Sequence, residues 1–166
     1  MRIPFAALIA LSCLPLLGTG ASAQDQKDID KPLIVLGGGV FDLGGKSRGE
    51  GRLEVRGGDP LFWRIKPTIG VNATSGGATY GFGGLLADFA LGEGFVLTPS
   101  LAAGGYRQGS GKDLGHGFEF RSQIEAAYVM AGGARVGLGA SHISNAGLGD
   151  KNPGANSVFG FLAFPF

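Results

Sequence analysis

The sequence predicts an all-β protein, an eight-stranded antiparallel transmembrane β-barrel of the outer membrane. Three observations predict this fold. The N-terminus has the pattern of a secretory signal peptide, the rest of the chain contains eight runs with strand character, and the last run ends on an aromatic residue, Phe166. No internal stretch of about 18 or more apolar residues is present, so a membrane-spanning helix is not expected.

The first 23 residues form the predicted signal peptide, cleaved after Ala23. Arg2 precedes an apolar core at about residues 4–17, and an Ala-Ser-Ala tripeptide ends the segment. The core is short and Pro15 interrupts it, which disfavours a retained membrane anchor. A lipid anchor at Cys13 is a weak alternative. The expected organisation is therefore a signal peptide at residues 1–23 and a single barrel domain at residues 24–166.

The composition disfavours several classes of protein. The whole chain has 14 Lys and Arg against 13 Asp and Glu, and removing the signal peptide with its one arginine leaves the charge balanced. Nothing in that balance indicates a nucleic-acid partner. The one cysteine lies in the signal segment, so the mature chain has no disulfide framework. No group of His, Cys and carboxylates has metal-ligand spacing, so neither a metal nor a cofactor is predicted.

The predicted strands follow a polar lead-in, and turns rich in Gly, Asp, Ser and Lys separate them. They lie near residues 32–43, 49–57, 61–73, 77–91, 94–107, 116–130, 132–144 and 155–166. Eight is the smallest common size of a single-chain outer-membrane barrel, and it is even, as such barrels require. Several runs are long enough for a tilted strand to cross a bilayer, and longer than the usual strand of a soluble sheet.

Alternation within the runs indicates one lipid-like face and one charged face. In residues 118–130 the large apolar side chains share one parity and the charged side chains share the other. We expect the charged parity to face the interior, which side chains fill in a barrel of this size, so no open pore is predicted. The interior charges are predicted to pair with one another: Arg52, Arg56, Arg64, Lys66, Arg121 and Arg135 with Glu54, Glu119 and Glu125. The run at residues 77–91 is apolar on both parities, so its faces stay unassigned.

A soluble sandwich or a lipocalin-like barrel would show the same alternation with the apolar face turned inward. The signal peptide, the strand lengths and the end of the chain favour the membrane barrel. In the last run Val158, Leu162, Phe164 and Phe166 share one parity. A terminal Phe on an alternating strand resembles the C-terminal signature of outer-membrane barrels.

The seventh run carries a His and a Ser on one parity. His142 and Ser144 share the parity of Val136 and Leu138, while Arg135 has the other, so the pair should point outward toward lipid. Both termini of such a barrel lie in the periplasm, so this run ends at the cell-surface side. Two interpretations follow from the residues alone. The pair is either polar residues tolerated near the interface at about 0–1 kcal/mol, or a Ser nucleophile with a His base.

The segment SHISNAGL, followed by NPGAN and an apolar last strand, closely resembles the PagL-type lipid A 3-O-deacylases. The preceding GFEFRSQIEAAYVM also looks like that family, and the resemblance is specific over residues 115–166. Members are eight-stranded outer-membrane barrels that hydrolyse the ester-linked acyl chain at the 3-position of lipid A, from an active site on the barrel exterior. The resemblance therefore implies an esterase in the outer membrane whose partner is the lipopolysaccharide of the outer leaflet. It leaves the oligomeric state open.

The resemblance also implies roles for individual residues. Ser144 is the nucleophile, and His142 is the base that takes its proton and later protonates the leaving alcohol. Asn145 and the backbone N–H near Gly147 are candidates for the oxyanion hole, with turn formation as the alternative. The family's third catalytic residue is a Glu fourteen residues after the His, and here that position is Asn156.

Asn156 departs from the family pattern because it carries no charge. It can accept a hydrogen bond from the Nδ1–H of His142, but it should stabilise the imidazolium less than a carboxylate. Asp150, in the loop, is an alternative carboxylate, whereas Glu119 and Glu125 face inward by parity. His116 is expected to be a rim residue, with substrate binding as its alternative role. The departure leaves a second function open, a catalytically weak or non-enzymatic barrel with a structural or adhesive role.

Overall fold

The computed structural model describes residues 29–166, and the predicted signal peptide lies outside them. All of the regular secondary structure from Leu33 onward is β. The strands are β1 (Leu33–Phe41), β2 (Arg48–Arg56), β3 (Ile65–Thr74), β4 (Thr79–Ala87), β5 (Phe89–Gly92), β6 (Phe95–Arg107), β7 (Phe118–Val129), β8 (Arg135–Ser144) and β9 (Ala155–Pro165).

The strands close into an antiparallel barrel of eight. Both β4 and β5 pair with β6, and only Asp88 separates them, so they are two parts of one barrel strand. Each other strand pairs with its neighbour in the chain, and β1 pairs with β9. Closure leaves no open edge in the sheet. The predicted count of eight barrel strands is confirmed.

The two ends of the barrel differ in the length of their connections. Residues 108–117 and 145–154 form the two longest connections at one end. The connections at the other end are residues 57–64, 93–94 and 130–134, and all three are shorter than those two. Outer-membrane barrels have short periplasmic turns and longer extracellular loops. The end that carries Ser144 is therefore the cell-surface end.

The predicted alternation of faces is confirmed. On β8, Arg135 is 1% exposed while Leu138 is 72% exposed, and on β7 Glu119, Arg121, Gln123 and Glu125 are all buried. The faces of the apolar run at residues 77–91 are now resolved. Tyr80, Phe82 and Leu86 point inward and Leu85 points outward.

Buried ion pairs fill the interior, as the sequence predicts, but the predicted pairing of Glu119 is wrong, because its buried carboxylate has no ion-pair or hydrogen-bond partner among residues 29–166. Arg56 donates two hydrogen bonds of 2.8 Å to the carboxylate of Glu125 and one of 2.9 Å to Glu54. The Arg121 guanidinium lies over the Phe82 ring at 3.8 Å, and 3.7 Å from the Glu54 carboxylate. These contacts compensate charges that would be costly to bury alone.

A second ion cluster, centred on Asp88, lies toward the short-loop end. Its carboxylate accepts hydrogen bonds from Arg135 at 3.1 and 3.2 Å, from Lys66 at 3.1 Å and from Thr98 at 2.6 Å. This role of Asp88 was not predicted from the sequence. Arg64, predicted to be interior, is only half-buried and donates a 3.4 Å hydrogen bond to the Asp88 carbonyl oxygen.

The third strand begins later than predicted. The predicted run starts at residue 61, but β3 starts at Ile65 because the chain turns at Trp63, whose φ is +51°. Leu61, Phe62 and Trp63 are consequently exposed, and the Trp63 ring contacts Phe89 edge-on at 6.0 Å. Aromatic side chains at the end of a membrane strand are typical of the membrane–water interface.

Among residues 29–166 no helix is long and apolar enough to span a bilayer.

Candidate active site

The outward face of three neighbouring strands carries the candidate catalytic residues. His142 on β8 lies in register with Ser122 on β7 and with Asn156 on β9, and all three are exposed. Ile143, between His142 and Ser144, points inward and is buried. The sequence prediction that the His and the Ser share the outer wall is therefore correct.

A hydrogen bond joins two of the predicted catalytic residues. His142 Nδ1 lies 2.8 Å from Asn156 Oδ1. An amide oxygen can only accept, so in this arrangement Nδ1 carries the proton and donates it. The other ring nitrogen, Nε2, then holds its lone pair free. This is the tautomer that a general base requires.

Ser144 ends β8 one outward position beyond His142. It is half-buried, and its partner on β7 is Phe120, whose exposed ring contacts that of Phe118 edge-on at 5.5 Å. No hydrogen bond joins the Ser144 hydroxyl to His142 within residues 29–166. Residues two apart on a strand are about 6.6 Å apart along it, and catalytic hydrogen bonds are often loose before substrate binds.

Gly154 supports the imidazole ring and was not identified from the sequence. It immediately precedes β9 with a φ of +55°, and a Cβ there would lie 2.8 Å from His142 Cε1 and 3.2 Å from Nε2. Glycine therefore fits for two reasons, its left-handed backbone and the space that the ring occupies. The quoted sequence NPGAN contains this residue, but its contact with a strand residue twelve positions earlier is visible only in the fold.

The predicted oxyanion residues Asn145 and Gly147 form a tight turn after β8. The Asn145 side chain is fully buried, donates to the carbonyl oxygens of Leu114 at 2.9 Å and Lys151 at 2.8 Å, and accepts from the Gly147 N–H at 2.9 Å. The Asn145 N–H donates to Asn152 Oδ1 at 3.1 Å, so Asn152 is a further loop residue missed from the sequence. The donors of both predicted residues are thus occupied by the loop itself.

Ala146, between these two residues, presents a different backbone donor. Its φ is +53°, it is exposed, and its N–H makes no hydrogen bond to any residue of the described chain, 29–166. An unpaired backbone N–H two residues beyond the candidate residue Ser144 is the kind of group that can stabilise an oxyanion.

The two long loops at this end are tied together. Besides the Asn145 hydrogen bond to Leu114, the Lys151 ammonium donates to Asp113 at 2.5 Å. This hydrogen bond, together with one from the Gly115 N–H, lowers the pKa of the Asp113 carboxyl from its usual value. The loops therefore support the end of β8 as one unit.

The remaining candidates lie apart from the His–Asn pair. Asp150 is exposed in the loop, and the Nδ1 hydrogen bond of His142 goes to Asn156. The hydrogen bonds of His116 are local, to the backbone of Phe118. Within residues 29–166 no group of three or more His, Cys, Asp or Glu side chains could hold a metal ion.

Comparisons with known proteins agree with this architecture. A model of the lipid A 3-O-deacylase (PagL) family matches residues 56–165. The fold is similar to a crystal structure of the outer membrane enzyme PagL, with 22% identity, a TM-score of 0.64, and 81% of this chain and 99% of that chain covered. It is also similar to a structure from the de novo design of transmembrane β-barrels, with 11% identity, a TM-score of 0.51, and 82% and 96% covered. At these identities the two structures show the fold alone. No curated protein matches the chain.

Proposed function

This chain belongs to the lipid A 3-O-deacylase (PagL) family, and we propose that it hydrolyses the 3-O-linked acyl ester of lipid A with Ser144 as nucleophile and His142 as base. Membership makes it a lipid A deacylase of the outer membrane; the ester position and the catalytic residues are the proposal. We also propose that residues 1–23 are a signal peptide removed from the mature protein.

The observation that carries this proposal is the hydrogen bond from His142 Nδ1 to Asn156 Oδ1 on the outer wall. It orients the imidazole and leaves Nε2 as the proton acceptor, one outward position from Ser144. An ester of an outer-leaflet lipid reaches the barrel from its lipid-facing side, so a nucleophile serves this substrate best on that side. The cell-surface end of β8 matches the depth of the ester linkages, between the sugars and the acyl chains.

The chemistry follows the logic of a serine esterase. Ser144 Oγ bonds to the acyl carbonyl carbon as its proton passes to His142 Nε2, and the carbonyl oxygen becomes an oxyanion. The intermediate then collapses and breaks the bond to the 3-oxygen of the sugar, which takes the proton from His142. Water then attacks the Ser144 ester as His142 takes its proton. The second intermediate collapses, the fatty acid leaves, and Ser144 Oγ takes the proton back from His142.

The turn at residues 145–147 is the proposed oxyanion hole. The Ala146 N–H supports this assignment because no other described residue occupies it, whereas Asn145 and Gly147 shape the turn through the hydrogen bond between them. Asn145 and Gly147 would thus act by holding the donor in place. Preorganised donors of this kind stabilise the transition state because they need no rearrangement as charge develops.

Substitutions at Asn156 test the proposed catalytic group. We expect Asn156→Glu to raise deacylation about tenfold, because a carboxylate stabilises the imidazolium that forms as Ser144 attacks, and this is part of a general acid–base effect of about 10²–10⁴-fold. Asn156→Ala should lower the rate, since His142 loses its partner on β9. The measurement is fatty-acid release from detergent-solubilised lipid A.

Asp150→Ala is the matched control because it removes the alternative carboxylate, which lies in the loop. It should change the rate of deacylation little. The Asn156→Glu variant should remain folded, because a carboxylate on the outer wall near the interface costs only about 0–1 kcal/mol of stability. An inactive Asp150→Ala together with fully active Asn156 variants would assign the third role to the loop aspartate instead.

A further inference from the structure

An open recess lies on the outer wall on the membrane side of His142. Its outward lining is apolar, and two glycines, Gly38 on β1 and Gly160 on β9, lie side by side in it. Leu138 on β8 is the register partner of Gly160 and stands beside it as a ridge, while Ala140 and Val158 lie between this row and the catalytic row.

The two glycines are not required by the packing of the barrel. A Cβ at Gly160 would come no closer than 3.6 Å to Leu138 Cδ2, and one at Gly38 no closer than 3.7 Å to a backbone oxygen, which are ordinary contacts. Inward glycines differ, since a Cβ at Gly39 would lie 2.2 Å from a backbone oxygen. The missing side chains at Gly38 and Gly160 therefore leave empty space on the lipid side of the wall.

The recess is continuous with the catalytic row. Toward the membrane interior, the next outward residue on β8 from His142 is Ala140, and the next outward residue on β9 from Asn156 is Val158. Leu138, in the glycine row, lies six residues from Ser144, or about 20 Å along the strand. A chain that leaves Ser144 toward the membrane interior along this wall meets Ala140 and Val158 first and the glycines last.

We propose that this recess is a subsite for the acyl chain of the ester under attack, an inference that rests on the proposed function. The acyl carbonyl lies at Ser144 and the hydrocarbon tail lies along Ala140 and Val158, so that only long chains reach Gly160 and Gly38. Burial from water contributes nothing here, because the surrounding lipid is equally apolar. The recess acts by shape: it orients the tail and so holds the ester at the nucleophile.

Gly160→Val and Gly38→Val test the proposal by filling the recess from its floor. The probes are p-nitrophenyl butyrate, whose chain is too short to reach the glycines, and p-nitrophenyl palmitate, both in detergent micelles. We expect each variant to lower the palmitate-to-butyrate ratio of kcat/KM by about tenfold, since a methyl-sized mismatch in an apolar site discriminates by about 10–200-fold. Butyrate hydrolysis is the internal reference for each variant.

Gly83→Val is the matched control. Gly83 is an outward glycine on β4, three strands from β8 around the barrel, with nothing within 4 Å of its Cβ. It should leave the ratio unchanged, and a band shift between unheated and heated gel samples verifies that each variant is folded.

The outcomes distinguish a failure of the subsite proposal from a failure of the proposed function. If Gly160→Val and Gly38→Val hydrolyse both esters at the wild-type ratio, the subsite proposal is wrong and the proposed function stands. The same conclusion holds if the variants change only the oligomeric state, because the recess is then an interface between copies. If the wild type cleaves neither ester, or Ser144→Ala cleaves both, the proposed function fails and the subsite fails with it.

Discussion

Ser144→Ala and His142→Ala are each expected to lower lipid A deacylation by about 10⁴-fold or more, because a nucleophile and its base act as a unit and removing either removes the acyl-enzyme route. Both side chains lie on the outer wall, away from the interior ion pairs, so neither variant should unfold the barrel. The measurement is kcat/KM for fatty-acid release from detergent-solubilised lipid A.

Ser122→Ala is the matched control for this pair. Ser122 is outward and in register with His142, on the side opposite Asn156. The substitution therefore removes a serine hydroxyl from the outer wall without removing the proposed nucleophile. We expect it to retain most of the activity. Wild-type kinetics for Ser144→Ala would show that the nucleophile has been assigned to the wrong residue.

Asp88→Asn should destabilise the barrel by about 3–5 kcal/mol, the usual cost of removing one partner of a buried ion pair. The carboxylate is 4% exposed and pairs with Arg135 and Lys66, both also buried. Its loss leaves Arg135 without a carboxylate partner among residues 29–166, while Lys66 keeps its ion pair with Asp30 at 2.8 Å. The free energy of unfolding is measured by urea titration of the protein folded in lipid vesicles.

Asp59→Asn provides the comparison because Asp59 is exposed in the connection between β2 and β3. It should change stability by less than about 0.5 kcal/mol, as surface substitutions usually do. If Asp88→Asn unfolded at the same urea concentration as the wild type, the Asp88 cluster would not be a stabilising element of the barrel.

The strands and their faces could be predicted from the sequence because alternation has the same period as the side chains of a strand. Residues 118–130 show this most clearly, since their charged side chains share one parity and their large apolar side chains share the other. The run at residues 77–91 gave no such signal, because its inward side chains, Tyr80, Phe82 and Leu86, are apolar too. The break at Asp88 was also missed, because the need for a carboxylate arises from Lys66 and Arg135 on other strands.

The candidate site was predicted in part. Parity placed His142 and Ser144 on the outer wall, and the resemblance placed Asn156 beside the imidazole, where the structure has a hydrogen bond. The contacts of Asn145 and the space occupied at Gly154 depend on how the loops meet one another. Such contacts between distant segments leave no periodic signal in the chain.

The decisive measurement of 3-O-deacylation is the mass of lipid A from a Gram-negative host that expresses this chain. We expect lipid A to lose the mass of one 3-hydroxyacyl group, tandem mass spectrometry to assign the loss to the 3-position, and the Ser144→Ala variant to leave lipid A intact. Unchanged lipid A in a host whose outer membrane contains the folded wild-type barrel, or loss of an acyl chain from another position, would contradict the proposed function.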